Sequence, residues 1–202
     1  LRTHNCGELT KKDTGKKVTL CGWIDSLRIL SNFAFSDLKD KYGTTQIFFE
    51  KKFLKDLSKL KRESIISITG KVNKKPKANP KLKTGEIELK ADSLEIMNIA
   101  EELPLELDES IESTEETRLK YRYLDLKKPR LQKNLELRHK IIKAIRDFLD
   151  KEDFTEIETP ILSNSTPEGA RDYLVPSRNF KKEFYALPQS PQLFKQLLMV
   201  AG

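Results

Sequence analysis

Cysteine, histidine and long apolar runs are all scarce in this chain, and each scarcity removes a class of function. Of 202 residues, two are cysteine (Cys6, Cys21) and two are histidine (His4, His139). They show no C-x-x-C or Cys/His spacing of the kind that holds zinc, so reduced structural thiols are expected and a metal site is not. No run of about 18 apolar residues exists to span a bilayer, and the N-terminus lacks the basic-then-apolar order of a signal peptide. The expectation is a cytoplasmic protein with no membrane partner.

Charge is what the chain has in plenty: 34% of its residues are charged, with a net charge of +7. Excess lysine either attracts an anionic partner or simply keeps a protein in solution, so its distribution matters more than its sum. Residues 1–100 hold 21 Lys and Arg against 12 Asp and Glu, while residues 101–130 hold 6 against 9. From Glu101 to Glu116 there are eight carboxylates and no basic residue, a composition that favours an exposed connector over a packed core. With 37% hydrophobic residues the chain has material for one or two modest cores. Three segments follow: a first domain over 1–100, an acidic hinge over 101–130 and a second domain over 131–202.

Short β-type runs and turn residues alternate in the first domain. Val18–Ile24 reads as a strand, Phe33-Ala34-Phe35 begins a second, and Thr44–Phe49 is a third. Phe53, Leu54, Leu57 and Leu60 then carry the stripe of a short amphipathic helix. Strands resume over Ser64–Val72 and Glu86–Ile96, separated by a loop rich in Lys and Pro that contains Asn79. Three strands, a helix and two strands is the order of a five-stranded oligonucleotide-binding (OB) barrel, an order that other small barrels share.

A barrel that grips single-stranded RNA needs an aromatic ring for a base, a hydrogen-bonding group for its edge and cations for its phosphates. Arg28, Phe35 and Gln46 provide one of each on consecutive strands. Phe35 has a second reading as a core aromatic, since Phe33 shares its parity, and Arg28 and Gln46 have a second reading as solvated strand-edge residues. The lysines between Lys74 and Lys83 either contact phosphate or merely solubilise a loop.

Beyond the hinge the period becomes helical. A helix is expected over Leu131–Leu149, with Leu135, Ile142, Ile145 and Leu149 forming a stripe to pack on a sheet. Thr155–Leu162 reads as a strand that either ends at Thr159 or runs through Pro160, which would put it at an edge or a subunit contact.

A long helix followed by a proline-bearing strand resembles motif 1 of the class II aminoacyl-tRNA synthetases. RLKYRYLDLKKP (118–129) resembles the connector of the aspartyl, asparaginyl and lysyl members, and GARDYLVPSR (169–178) is similar to the bacterial aspartyl enzymes in particular. CGEL near the start and TLCGW (19–23) look like that group's N-terminal barrel. The resemblance spans essentially the whole chain. It implies an α+β protein of two domains, an OB-type anticodon-binding barrel followed by the beginning of an antiparallel-sheet catalytic domain.

The function so implied is ATP-dependent activation of L-aspartate and its transfer to tRNA(Asp), with magnesium as cofactor and a homodimer as the working form. Glu168 then faces the substrate ammonium, Ser190 and Gln192 hydrogen-bond the amino acid, and Lys195 pairs with its side-chain carboxylate. Ser190 before Pro191 also reads as a helix N-cap. Lys195 and Glu168 have the plainer reading of solvated charges. On the RNA side the resemblance makes Phe35 a platform for an anticodon base, read by Gln46 with Arg28 and Asn79 nearby, and makes Pro160 a dimer contact. One departure stands out: the family usually carries several basic residues and glycine in the turn after Trp23, and here only Arg28 keeps a positive charge between Ile24 and Asn32. The arginine-bearing motifs that hold the triphosphate are absent from these residues, so the chain is expected to be an N-terminal fragment, inactive alone. An asparaginyl- or lysyl-type ligase, or a non-catalytic RNA-binding barrel with a dimerising remnant, are the competing readings.

Overall fold

The computed structural model describes residues 2–80, 82–166 and 171–202. Two compact units emerge, Leu1–Pro129 and Arg130–Gly202. The first is a closed barrel in the strand order β1-β2-β3-β5-β4, formed by β1 (Lys17–Ile29), β2 (Phe33–Asp40), β3 (Gly43–Glu50), β4 (Ile65–Lys74) and β5 (Ile87–Asn98). All pairings are antiparallel except β3 with β5, which the intervening crossover makes parallel. The one-turn helix α1 (Leu54–Leu57) sits in that crossover. Alternation of apolar residues closes the core: Val18, Leu20, Leu38, Ile47, Phe49, Ile66, Ile68, Val72, Ile87 and Leu89 are buried, and Leu57 joins them from α1.

Strand β1 outruns its expected end. The Ile24–Asn32 stretch read as a turn is strand as far as Ile29, because a β-bulge at Asp25 lets pairing with β2 continue: Ile24 faces Leu38 while Ser26 faces Asp37. The bulge places two residues of β1 against one of β2 and reverses which face each later residue occupies.

After the barrel, residues 101–129 stay with the first unit. Leu105 and Leu107 are buried within the acidic stretch. Two short helices follow, α2 (Glu115–Lys120), capped by the Thr114 side chain, and α3 (Arg122–Asp125). Asp125 is fully buried and gathers Arg118 at 3.2 Å, Arg122 at 2.9 Å and Lys128 at 3.7 Å. Burial alone would raise its carboxyl pKa, but the hydrogen bond and charge of Arg118, then Lys128 and Arg122, hold it below the usual range.

The second unit contains α4 (Pro129–Lys151), a two-stranded antiparallel ribbon of β6 (Tyr173–Pro176) and β7 (Phe184–Leu187), and α5 (Gln192–Ala201). The helix matches its periodicity, but its stripe is not packed on a sheet: Leu135, Ile142, Ile145 and Leu149 are all exposed. Four-residue strands reach about 13 Å, whereas a 23-residue helix runs about 35 Å, so this ribbon is too small to cover it. Residues 155–162 are not a strand either; Ser163 alone bridges to Ala186. A strand exists only where a neighbour completes its hydrogen bonds, and these residues have none among the described ones.

Candidate nucleic-acid interface

Outward-facing residues of β1, β2 and β3 assemble one surface. On β2, Ala34, Ser36 and Leu38 point inward, so Phe33, Phe35, Asp37 and Lys39 point out. On β3, Thr45, Ile47 and Phe49 point inward and leave Thr44, Gln46, Phe48 and Glu50 outside. Beyond its bulge β1 turns Ser26 and Arg28 to this same side, with Arg28 opposite Phe35 and Ser26 donating a 2.6 Å hydrogen bond to Asp37.

Phe35 sits between two other rings. Its centroid lies 5.5 Å from Phe33, edge-on, and 5.5 Å from Phe48, with Phe33 and Phe48 5.9 Å apart. All three are half-buried. The core reading of Phe35 is thereby excluded, and Phe33 shares its face rather than the interior. Phe48 opposes Phe35 in register and Gln46 opposes Asp37, so Gln46 is one diagonal step from the rings. The exposed Arg28 side chain has no partner among the described residues. Phe33 and Phe48 are the members that the sequence reading missed; the signal was the Phe48-Phe49 pair, whose neighbours must face opposite ways in any strand.

Asn79 belongs to the loop joining β4 to β5. That loop is closed by backbone bonds: Asn79 N donates to Gly85 O at 2.9 Å, and Leu82 N to the Asn79 carbonyl at 3.2 Å. Gly85 makes the approach possible, since a Cβ there would fall 1.8 Å from the Asn79 carbonyl oxygen. The loop is further pinned by the Thr84 hydroxyl on the Thr44 carbonyl.

At the edge of the aromatic face, a charge network ties barrel to connector. Lys39 bonds Asp25 at 2.8 Å and Glu63 at 3.1 Å, Arg62 reaches Asp25 at 3.2 Å, and Lys127 pairs with Glu63. The Lys127 ammonium also stands 4.8 Å over the ring of Trp23.

In the second unit, Gln192 and Lys195 lie on the first turn of α5, three residues apart on one side, and the Lys195 amide donates to the Pro191 carbonyl at 3.0 Å. Ser190 does not cap this helix: it begins one residue later than expected, with Pro191 in the cap position and no side-chain cap bond. Ser190 is half-buried, while Gln192 and Lys195 are exposed. Pro160 lies in the unpaired 155–162 stretch. Glu168 falls outside the described residues. Among those described, no group of three or more His, Cys, Asp and Glu is arranged to hold a metal ion, and no helix is long and apolar enough to cross a membrane.

Comparison with known proteins adds an independent line. Residues 18–97 match the OB-fold nucleic acid binding domain, and residues 114–202 match the tRNA synthetases class II (D, K and N). The whole chain is 52% identical to an aspartate-tRNA(Asp/Asn) ligase of Thermotoga maritima and 51% identical to an aspartate-tRNA ligase of Lactobacillus acidophilus. It spans about a third of their length, 35% and 33% respectively. Solved structures share the fold at lower identity. An asparaginyl-tRNA synthetase from Pyrococcus horikoshii aligns over 98% of this chain and 45% of its own (TM-score 0.81, 23% identity). An aspartyl tRNA synthetase from Entamoeba histolytica aligns over 96% and 42% (TM-score 0.77, 24% identity).

Proposed function

We propose that the chain is part of a class II tRNA synthetase homologous to the bacterial aspartyl enzymes, and that the whole protein is an aspartate-tRNA ligase whose barrel holds the anticodon of tRNA(Asp). The observation that carries the RNA half is the outer face of β1–β3: an aromatic cluster, an arginine with no partner among the described residues opposite its central ring, and an amide one step away. Phe35 stacks a base, Gln46 reads its edge, Arg28 meets phosphate, and Asn79 contributes from the β4–β5 loop.

For the amino-acid half, Lys195 is the countercharge for the aspartate side chain. Asparagine offers none and would leave the lysine unpaired in a closed site, which is how such a contact discriminates. Ser190 and Gln192 hydrogen-bond the substrate, and Glu168 is the countercharge for its ammonium. The aspartate α-carboxylate attacks the α-phosphate of ATP, a bond to pyrophosphate breaks, and the aspartyl group passes from the adenylate to the terminal ribose of the tRNA. The protein's share is positioning and charge stabilisation. The described residues include no carboxylate set that fits magnesium. Pro160 and the exposed stripe of α4 form the contact with a second copy in a homodimer, and the enzyme works in the cytoplasm.

Aspartate-dependent ATP–pyrophosphate exchange by the full-length protein tests the pocket. Lys195→Ala and Glu168→Ala should each cut it by at least tenfold in kcat/KM; a rate equal to that of the unaltered protein would remove them from the site.

A further inference from the structure

We infer that the RNA-binding face continues past its aromatic cluster as a ramp of lysines, Lys90, Lys71 and Lys17, which carries the sugar-phosphate backbone of the bound single strand. This rests on the reading of Phe35 and Phe48 as a stacking surface and extends it to residues that the reading does not use.

Barrel register is the first support. Arg28 faces Phe35, Phe35 faces Phe48, Phe48 faces Lys90, Lys90 faces Lys71, and Lys71 faces Lys17. One cross-strand row therefore passes around the barrel from cation to rings to three cations in succession. Phe35, Phe48, Lys90 and Lys71 point out, since both neighbours of each along the strand, such as Leu89 and Ala91 beside Lys90 or Gly70 and Val72 beside Lys71, are buried, and the end members Arg28 and Lys17 are themselves exposed. The row leaves β1 at Arg28 and returns to it at Lys17, 28 − 17 = 11 residues earlier. Strand stagger in a closed barrel makes such a row a helical ramp and not a ring. At about 4.8 Å per strand, Lys71 lies about 10 Å and Lys17 about 14 Å beyond Phe48.

Electrostatics is the second support. Like charges directly opposite one another across a sheet are destabilising, yet Lys71 has a lysine on each side. Lys90 is partly neutralised by Glu50 at 2.7 Å, whereas Lys71 and Lys17 have no ion pair among the described residues. Nearby carboxylates are committed elsewhere, Asp13 to Lys16 at 2.8 Å and Glu86 to Lys11. Glu88, facing Asn73 on the same outer side, has its carboxyl pKa pushed up by burial, with Lys75 opposing, and forms no ion pair with Lys71 or Lys17 among the described residues. An extended polyanion relieves this repulsion along its whole length. RNA stacked on Phe35 and Phe48 supplies one in register.

The test is binding of an unmodified tRNA(Asp) transcript to the 202-residue chain across a salt series, comparing the unaltered chain with Lys17→Gln/Lys71→Gln, with Phe35→Leu and with a control of equal charge off the row, Lys55→Gln/Lys61→Gln. Two lost single-strand phosphate contacts should flatten the slope of log K against log salt by about 1.4 and weaken binding about 25-fold at 0.1 M salt. The control should leave the slope in place and melt like the unaltered chain, Lys17→Gln/Lys71→Gln should melt no lower because it relieves the repulsion between facing lysines, and Phe35→Leu should remain folded. An unchanged slope in Lys17→Gln/Lys71→Gln, with Phe35→Leu still impaired, would overturn the ramp and leave the stacking face standing. An equal flattening in the control would reduce the ramp to net charge and overturn it too. No effect of Phe35→Leu, or no binding by the unaltered chain, would bring down the stacking face together with the ramp.

Discussion

Phe35 and Phe49 make a matched pair whose truncations should fail in opposite ways. Both are strand phenylalanines preceded by an apolar residue and followed by a polar one, but Phe49 is fully buried in the barrel and in edge contact with Phe53 at 5.8 Å, whereas Phe35 is a half-buried outer-face residue. Phe49→Ala removes a ring from a closed core and should cost about 3–5 kcal/mol of stability. Phe35→Ala opens no core cavity. It loses an edge contact with Phe33 and a tilted ring contact with Phe48, each worth about 0.5–1.5 kcal/mol, with the lower end apt for a surface cluster, so the loss is about 1 kcal/mol. In RNA binding the order reverses. If a base stacks on Phe35, its removal costs about 1–3 kcal/mol, or about 5- to 150-fold in Kd. Phe35→Leu keeps the apolar bulk and deletes the ring, which separates stacking from folding. Urea melts followed by the single tryptophan, Trp23, read stability, and anisotropy of a labelled anticodon-loop RNA reads binding. Wild-type affinity in Phe35→Leu, or a stability loss in Phe35→Ala as large as in Phe49→Ala, would refute the reasoning.

Other tests reach other parts of the molecule. Gly85→Ala puts a Cβ 1.8 Å from the Asn79 carbonyl, so the β4–β5 loop must open; amide exchange of Asn79 and Gly85 should speed up while that of β1–β3 holds, and unchanged protection at Asn79 would count against the close approach. Burial acts to raise the pKa of Asp25, but the hydrogen bond and charge of Lys39, then those of Arg62, lower it overall. A folded-state pKa below the unfolded one adds stability that is present above about pH 4 and lost as pH falls through the folded value. The stability gap between the unaltered chain and Asp25→Asn should therefore close below about pH 4 in pH-dependent melts, and a gap that stayed constant would exclude this linkage. Cys6 is fully buried, and burial first, then Asp40, pushes its thiol pKa up to about 12, while Cys21 is partly exposed. Alkylation at pH 8 should label Cys21 alone in the folded protein and both cysteines in urea; rapid native labelling of Cys6 would contradict its burial.

Period and composition were enough to expose the barrel strands, the helix after β3 and the long helix α4, because alternation and 3.6-residue spacing are local properties of a chain with a buried side. The family likeness was legible as well, in contiguous motifs such as GARDYLVPSR. Which residues share a surface was not legible, because that depends on pairing. The even-numbered residues Val18, Leu20 and Ile24 of β1 point inward, so simple alternation would send Arg28 into the core; the bulge at Asp25 turns it out, opposite Phe35. Strand 155–162 and the buried α4 stripe failed as expectations for a related reason. Each presumes a neighbouring element, and a sequence reports a segment's need for a partner without providing one. Local chemistry thus determined the elements and the candidate residues by type, whereas the register of a closed barrel, a property of five strands together, decided which of them meet.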